Sequence, residues 1–301
     1  MTRREQIAAA VREVVDIFRC PICHQSMQVV DLKSLICSDN HTFDFAKQGY
    51  LNMLNRPSNQ PYDKILFDAR QKIIMESNLY ASLHKKVAEI IMEFLGEHRQ
   101  PTFIFDAGSG EGSHLRRIIN ACEDKEVTGI GLDLAKEGII VASRNHRKPN
   151  LIWLVGDLAN IPLSDQSCHV ILNILSPANY KEFKRVLTPE GILVKVIPRG
   201  DYFKELREVM YSGREQRAYS NDETISLFKQ NFQFVHKYKV NEFKELKQAE
   251  MINLIQMSPL SWHAKNEQID SWINRDFAGI TIDLDILIGV TTSYSMNEER
   301  K

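Results

Sequence analysis

Cys20-Pro-Ile-Cys23, followed by Cys37 and His41, places four metal-binding side chains within residues 20–41 in the pattern C-x2-C-x13-C-x3-H. No other feature of the chain constrains a local fold so tightly. Zinc prefers a closed tetrahedron of thiolate and imidazole ligands, and a knuckle with two residues between its cysteines lets both sulfurs converge on one ion. Val29, Val30, Leu32, Leu35 and Ile36 lie between the two pairs and predict a short hairpin that carries the second pair back to the first. The competing interpretation is a set of buried free thiols with a surface histidine. Three of the chain's five cysteines crowd into this one window, with a histidine to complete the set, which favours the metal. His24 is a rival fourth ligand, but it adjoins Cys23 and would have to fold back sharply, so His41 is preferred. Four protein ligands leave no open coordination position, so the zinc is expected to be structural. Cys37→Ala should then release it and unfold residues 18–54 while leaving ligand binding by the rest of the chain largely intact.

The chain has 301 residues, is 43% hydrophobic and 26% charged, and carries a net charge of −1. That composition suits a globular protein with room for one large domain and one small one. It contains no apolar run of about 18 residues, so no membrane span is expected, and its charged N-terminal stretch does not read as a secretion signal. Cys122 and Cys168 fall in a predicted helix and strand, read as buried thiols, and point to a reducing cytoplasm. Near-neutral charge does not advertise a nucleic-acid partner, although a local basic surface would suffice. Arg116-Arg117, Lys85-Lys86 and Lys184-Arg185 are the candidate contributors, and such pairs read first as solvated helix faces. A homodimer is compatible with this composition.

Residues 1–17 form an amphipathic N-terminal helix by pattern, with Ile7, Val11, Val14, Val15 and Phe18 at helical spacing. The zinc module is assigned to 18–54 and a linker to 55–61, where Arg56-Pro-Ser-Asn-Gln-Pro61 is polar and carries two prolines. The remainder, 62–301, opens with helix whose core positions are Ile73, Ile74, Leu83, Val87, Ile90 and Ile91. Strands and helices then alternate. Strands are predicted at Thr102–Asp106, Val127–Leu132, Leu151–Val155, Val170–Leu175 and Ile192–Ile197, with helices at Ser113–Ala121, through Arg144, and at Ala178–Leu187. Two late strands, Gln233–Val240 and Asp283–Thr292, flank a helix at Lys244–Gln256. This order predicts an α/β fold with a doubly wound, mostly parallel sheet of seven strands.

Where the first of these strands meets its helix, Phe103-Ile-Phe-Asp-Ala-Gly-Ser-Gly-Glu-Gly112 sets glycines at 108, 110 and 112. Lacking Cβ, they permit a tight turn and close approach of a ligand to the backbone. Asp133 ends the next strand, where a carboxylate can accept from ribose hydroxyls, and Asp157-Leu158 follows the third, where one can accept from an adenine amino group. Asp106 separates two cofactors. A carboxylate just before the first glycine suits the cationic amino group of S-adenosylmethionine and would lie badly beside a dinucleotide pyrophosphate. The glycine spacing is also G-x-G-x-G, not the G-x-G-x-x-G of NAD sites. At the end of the fourth strand stands Asn173-Ile-Leu-Ser-Pro177. Methyltransferases acting on exocyclic base amines carry Asn or Asp, two prolines and an aromatic here, so the segment argues against an exocyclic amine as target.

Taken together these residues resemble the bacterial RlmA-type 23S rRNA guanine-N1 methyltransferases. The matching pieces are Cys20-Pro-Ile-Cys-His24 through Cys37 and His41, Phe43-Asp-Phe-Ala-Lys-Gln-Gly-Tyr-Leu-Asn52, the Asp106–Gly112 loop, and Met257-Ser-Pro-Leu260. Ser176-Pro-Ala-Asn-Tyr-Lys-Glu-Phe183 and Ile192-Leu-Val-Lys-Val-Ile-Pro198 look more like the Gram-positive branch, which includes macrolide-resistance enzymes and modifies position 748 of the rRNA, not 745. The resemblance implies a class I S-adenosylmethionine-dependent fold, zinc on Cys20, Cys23, Cys37 and His41, and cofactor contacts at Tyr80, Gly110 and Glu111. A further family contact, a histidine after the fifth strand, falls on Tyr202, a departure from the pattern. Phe43, Phe45 and Tyr50 read as packing between module and main domain before base stacking.

The expected reaction puts a methyl group from S-adenosylmethionine on N1 of a guanine in a domain II hairpin of 23S rRNA, with the zinc module holding the hairpin by shape and phosphate contacts. The sequence singles out no general base. Two other functions compete: a small-molecule methyltransferase whose zinc module is a lid or dimer element, and a non-enzymatic rRNA-binding assembly factor. The intact set of Asp106, Gly108, Gly110, Asp133 and Asp157 speaks against the latter.

Overall fold

The computed structural model describes residues 1–56, 62–96, 101–122, 126–211, 220–262, 264–275 and 277–291. Most of the expected 55–61 linker, and Thr292 at the end of the last predicted strand, lie outside them.

The N-terminal helix α1 (Arg3–Glu13) starts with a reciprocal cap: Glu5 N donates to Thr2 Oγ1 while Thr2 N donates to Glu5 Oε2 at 2.8 Å. Its stripe of Ile7, Ala8 and Val11 is buried. The helix ends earlier than its apolar spacing suggests. A 3-10 turn at Val15–Ile17 redirects the chain, and Phe18 instead bridges Leu163 of the main domain. The hairpin of β1 (Met27–Val30) and β2 (Ser34–Cys37) follows, with β3 (Thr42–Asp44) paired antiparallel to β2. Then comes β4 (Leu51–Asn52), which leaves that small sheet altogether.

Two helices, α2 (Lys64–Met75) and α3 (Ala81–Leu95), lead into the alternating region. There β5 (Thr102–Ala107), α4 (Ser113–Ala121), β6 (Val127–Asp133), α5 (Lys136–Asn145), β7 (Leu151–Val155), β8 (Cys168–Ile174), α6 (Tyr180–Val186) and β9 (Leu187–Pro198) succeed one another. The chain finishes with α7 (Lys204–Met210), α8 (Asp222–Asn231), β10 (Gln233–Lys247), α9 (Gln248–Met257), α10 (Asn266–Ile273) and β11 (Phe277–Val290).

The main sheet runs β10-β11-β9-β8-β5-β6-β7-β4. It is parallel from β9 to β4, and β11 joins β9 and β10 in antiparallel ladders. It has eight strands where the pattern predicts seven, because Leu51 and Asn52 pair in parallel with Leu154 and Val155 at the β7 edge. Two residues carry no readable period, so only the neighbouring edge makes them a strand. The last hairpin is also longer than predicted. The helix expected from Lys244 begins only at Gln248, because Lys244 to Lys247 stay paired with Ile280 back to Phe277. A cross-strand ladder more than 30 residues away in sequence outweighs local helix propensity.

Alternate residues on each strand feed two cores. One face buries Ile104, Trp153, Val170 and Val194 against Ile73, Leu83, Val87 and Leu115 of the helices. The other buries Phe105, Ile130, Leu132 and Leu193 with Phe183 and Phe228. Into this second core the zinc module and α1 also send Ile7, Phe18, Phe43, Phe45 and Leu51, all nearly inaccessible to solvent. At about 1.5–3 kcal/mol for each large apolar side chain, this shared face ties the module to the main domain. Among the described residues no helix is long and apolar enough to cross a membrane.

Candidate active site and metal centre

Cys20, Cys23, Cys37 and His41 converge, their ligand atoms all within 4.8 Å of one another. Cys23 Sγ lies 3.5 Å from Cys37 Sγ, and His41 Nδ1 lies 3.4 Å from Cys37 Sγ and 3.7 Å from Cys20 Sγ. A tetrahedral zinc with bonds of about 2.0–2.3 Å needs ligand separations of roughly 3.5–3.8 Å, so the quartet is sized for that ion. The amide of Ile22 points at Cys20 Sγ from 3.5 Å, as a thiolate knuckle requires. His24 takes no part. Its positive φ of 64° turns the chain out of the knuckle while its N–H donates back to Cys20 O.

The knuckle is fastened to the main domain. Pro21 O accepts from Asn160 Nδ2 at 2.7 Å and from Asn55 Nδ2 at 3.2 Å, and Arg19 N donates to Pro162 O. The metal centre therefore sits on the loop that follows β7, the loop that begins with Asp157 and Leu158. Asp157 is exposed, with one oxygen accepting from Ala159 N, and Leu158 is half-buried.

Next to this loop, β5 delivers Asp106 and the glycine turn. Gly108, Gly110 and Gly112 all hold positive φ, at 83°, 57° and 79°. Their surroundings differ. A Cβ on Gly108 would fall 2.7 Å from Ser176 Cβ, and one on Gly112 would fall 2.3 Å from the Trp153 ring, whereas one on Gly110 would meet nothing closer than Arg70 at 3.6 Å. Gly110 N donates to Asp133 Oδ2 at 2.7 Å, and Ala135 N donates to Asp133 Oδ1 at 2.8 Å. A carboxylate offers about four acceptor positions, so capacity remains for a ribose hydroxyl.

Asp106 is 1% exposed, and its Oδ2 has no hydrogen-bond partner among the described residues. Burial pushes its carboxyl up to about 7, with Arg70 pulling the other way and Asp133 and Glu111 adding to the rise. An orphaned acceptor of this kind suits an ammonium group, and with the ribose acceptor it fits the residues to S-adenosylmethionine. Glu111 is wholly buried, and its Oε2 lies 3.0 Å from Arg70 Nε of α2. Tyr80, at the start of α3, and Tyr202, after β9, meet hydroxyl to hydroxyl at 2.5 Å. Burial drives Tyr80 up to about 12 and Tyr202 well above its ordinary value. Both phenols therefore stay protonated near neutral pH and act as hydrogen-bonding groups.

Three features escape a sequence reading. Arg70 lies in an amphipathic helix where a lone arginine looks like solvated surface. His84 Nε2 and His114 Nδ1 meet at 2.8 Å in the core beside Tyr80, and burial lowers His84 to about 3. Lys195 Nζ donates to Asn173 Oδ1 at 2.5 Å, and burial lowers the amine to about 8. The Asn173 amide in turn binds Ala107 O and Pro177 O, which pins the Ser176-Pro177 turn against Gly108. Lys195 did leave a signal, since a lysine amid Ile192–Ile197 interrupts an otherwise apolar buried strand.

Residues 18–59 match the sequence model of the RlmA N-terminal zinc ribbon, and residues 104–191 match a methyltransferase domain model. A Bacillus subtilis (strain 168) protein provisionally named 23S rRNA (guanine-N1)-methyltransferase YxjB is 39% identical over 91% of this chain and 97% of its own length. The 23S rRNA (guanine(748)-N1)-methyltransferase of Streptomyces fradiae is 30% identical over 86% of the chain and 90% of its own. A Micromonospora griseorubida protein, provisionally named 23S rRNA (guanine-N1)-methyltransferase, is 28% identical over 81% and 86%.

Proposed function

The chain belongs to the RlmA-type family of 23S rRNA guanine-N1 methyltransferases, and from that premise we propose that its target is the 748-type guanine of a domain II hairpin. The choice of position rests on the Streptomyces fradiae relative named for guanine 748, and the rRNA reading is supported by the seat of the zinc ribbon. Pro21, inside the knuckle, is bonded to Asn160 of the loop that also bears Asp157. An RNA hairpin gripped by the ribbon through its shape and phosphates is thereby held at a fixed distance from the cofactor mouth. The chain is organised as an N-terminal segment (1–17) that carries α1, the ribbon (18–54), a linker (55–61) and the methyltransferase domain (62–301), and it acts in the cytoplasm.

Within the site, Asp106 pairs with the cofactor ammonium, Asp133 takes the ribose hydroxyls, and Asp157 with Leu158 frames the adenine. Gly108, Gly110, Glu111 and Gly112 shape the wall behind the methionine end, and the Tyr80–Tyr202 pair closes over it and excludes water. When bound, S-adenosylmethionine supplies an electrophilic methyl on a sulfonium. The chain's own work is to hold donor and acceptor in line. Guanine N1 carries a proton that must pass to a carboxylate or an ordered water as the methyl arrives, and the base reaches the pocket by turning out of its hairpin.

Primer extension tests the reading directly, because N1 methylation blocks base pairing and stops reverse transcriptase. Deleting the gene should remove one stop in the hairpin, and restoring the protein should bring it back, with a matching change in macrolide susceptibility. A stop unchanged by deletion would sink the rRNA target, whereas loss of the 745-type stop would reassign the branch.

A further inference from the structure

Three carboxylates, Asp106, Glu111 and Asp133, crowd the mouth between β5 and β6, and one cation stands among them. Arg70 reaches in from α2 with Nε 3.0 Å from Glu111 Oε2. Glu111 is 0% exposed while the Arg70 side chain keeps 25% of its surface open, so the carboxylate lies deeper than its partner. The guanidinium also lies along the glycine turn, since Arg70 Cζ and Nη1 would both be 3.6 Å from a Cβ on Gly110. Among the described residues only Glu111 pairs with it, and that contact uses the Nε edge. The two terminal nitrogens of the planar fork have no partner among the described residues.

The methionine end of S-adenosylmethionine carries a carboxylate as well as an ammonium. Asp106 offers an orphaned acceptor for the ammonium, but three acidic side chains would repel the carboxylate unless a cation met it. A guanidinium binds a carboxylate through two parallel hydrogen bonds, a geometry that lysine cannot reproduce. Resting on the cofactor site described above, we propose that Arg70 anchors the α-carboxylate of S-adenosylmethionine, with Glu111 holding its Nε edge in place. Acidic residues at the mouth then select the ammonium and Arg70 selects the group beside it, so the site reads the whole amino-acid moiety.

The test compares S-adenosylmethionine with decarboxylated S-adenosylmethionine, which lacks only that carboxylate, by calorimetry on the full chain with zinc bound. The wild type should prefer the carboxylated ligand by roughly ten- to a hundredfold, the range of a charged hydrogen-bonded pair. Arg70→Met should lose that preference, binding S-adenosylmethionine more weakly by the same factor and the decarboxylated ligand as before. Arg70→Lys, which keeps a charge beside Glu111 and guards against misfolding of the first variant, should retain only a small part of the preference. Equal weakening of both ligands in the variants, or no preference in the wild type, would overturn the anchor while leaving the cofactor site standing. A wild type that binds neither ligand would overturn the cofactor reading and the anchor with it.

Discussion

Single residues divide the labour of the glycine turn unevenly. Gly110 has room for a methyl group but holds φ at 57°, so Gly110→Ala should cost about 1–2 kcal/mol of left-handed strain and little else. Gly112 carries the same strain and in addition presses on Trp153, so Gly112→Ala should cost about 1–3 kcal/mol more. Denaturant unfolding of the two variants should rank them in that order, and equal midpoints would count against the packing role of Trp153. Asp106 leads to a pH prediction. Burial first, then Asp133 and Glu111, raise its carboxyl to about 7 despite Arg70. A bound ammonium lowers it, so the complex holds fewer protons than the free protein. Affinity for S-adenosylmethionine should therefore fall as pH drops through about 7 and fall again as the ligand's own α-ammonium loses its proton above about 8, with Asp106→Asn weaker and lacking the acid limb. Calorimetry between about pH 5.5 and 8.5 checks the sign.

The zinc ribbon is the element whose behaviour the structure changes most. By sequence it is a module whose collapse leaves cofactor binding largely intact. In the structure β4 is a strand of the main sheet, and Phe43, Phe45 and Leu51 pack with Ile130 and Leu132. Metal loss in Cys37→Ala should thus reach β7 and the Asp157 loop. Leu51 alone forfeits about 2 kcal/mol of burial when β4 detaches. That lowers the melting midpoint of the cofactor domain by roughly 4–8 °C. Differential scanning of zinc-loaded wild type against the zinc-free variant measures it, and an unmoved main transition would restore the modular view. Two arginines of the basic pairs change meaning in the same way, while Lys85 and Lys184 stay exposed. Arg185 clamps Glu182, Ile161 O and Leu163 O, and Arg117 ties α4 to Met75 O and Asn78. They hold elements together where their sequence suggests solvated faces.

For the whole molecule, one shared core predicts one unfolding event. Helix α1, the ribbon and one face of the sheet bury their apolar residues in a single cluster, so calorimetry should show one main transition with zinc bound. S-Adenosylmethionine at about a hundred times its dissociation constant should raise that transition by a ligand contribution of about 2.7 kcal/mol. Two separate transitions, with only the later one moved by the cofactor, would mean the ribbon folds by itself. The net charge of −1 places no broad electrostatic attraction behind the binding of an RNA substrate.

What the sequence determined by itself was chemistry carried by short spacings. The ligands from Cys20 to His41, the Asp106–Gly112 turn, and Asp133 and Asp157 at strand ends are each local, because a knuckle or a strand-to-helix turn is built from a few consecutive residues. The alternation of strands and helices was legible for the same reason, through hydrophobic period. Only the tertiary structure decided where distant pieces meet. It turned Leu51–Asn52 into an eighth strand, prolonged β10 through Lys247, docked Pro21 on Asn160, paired Tyr80 with Tyr202, and set Arg70 before Glu111. None of these leaves a period or a spacing behind. Each is fixed by burial and hydrogen bonding between residues far apart in the chain, and those exist only once the sheet has brought its edges and ends together.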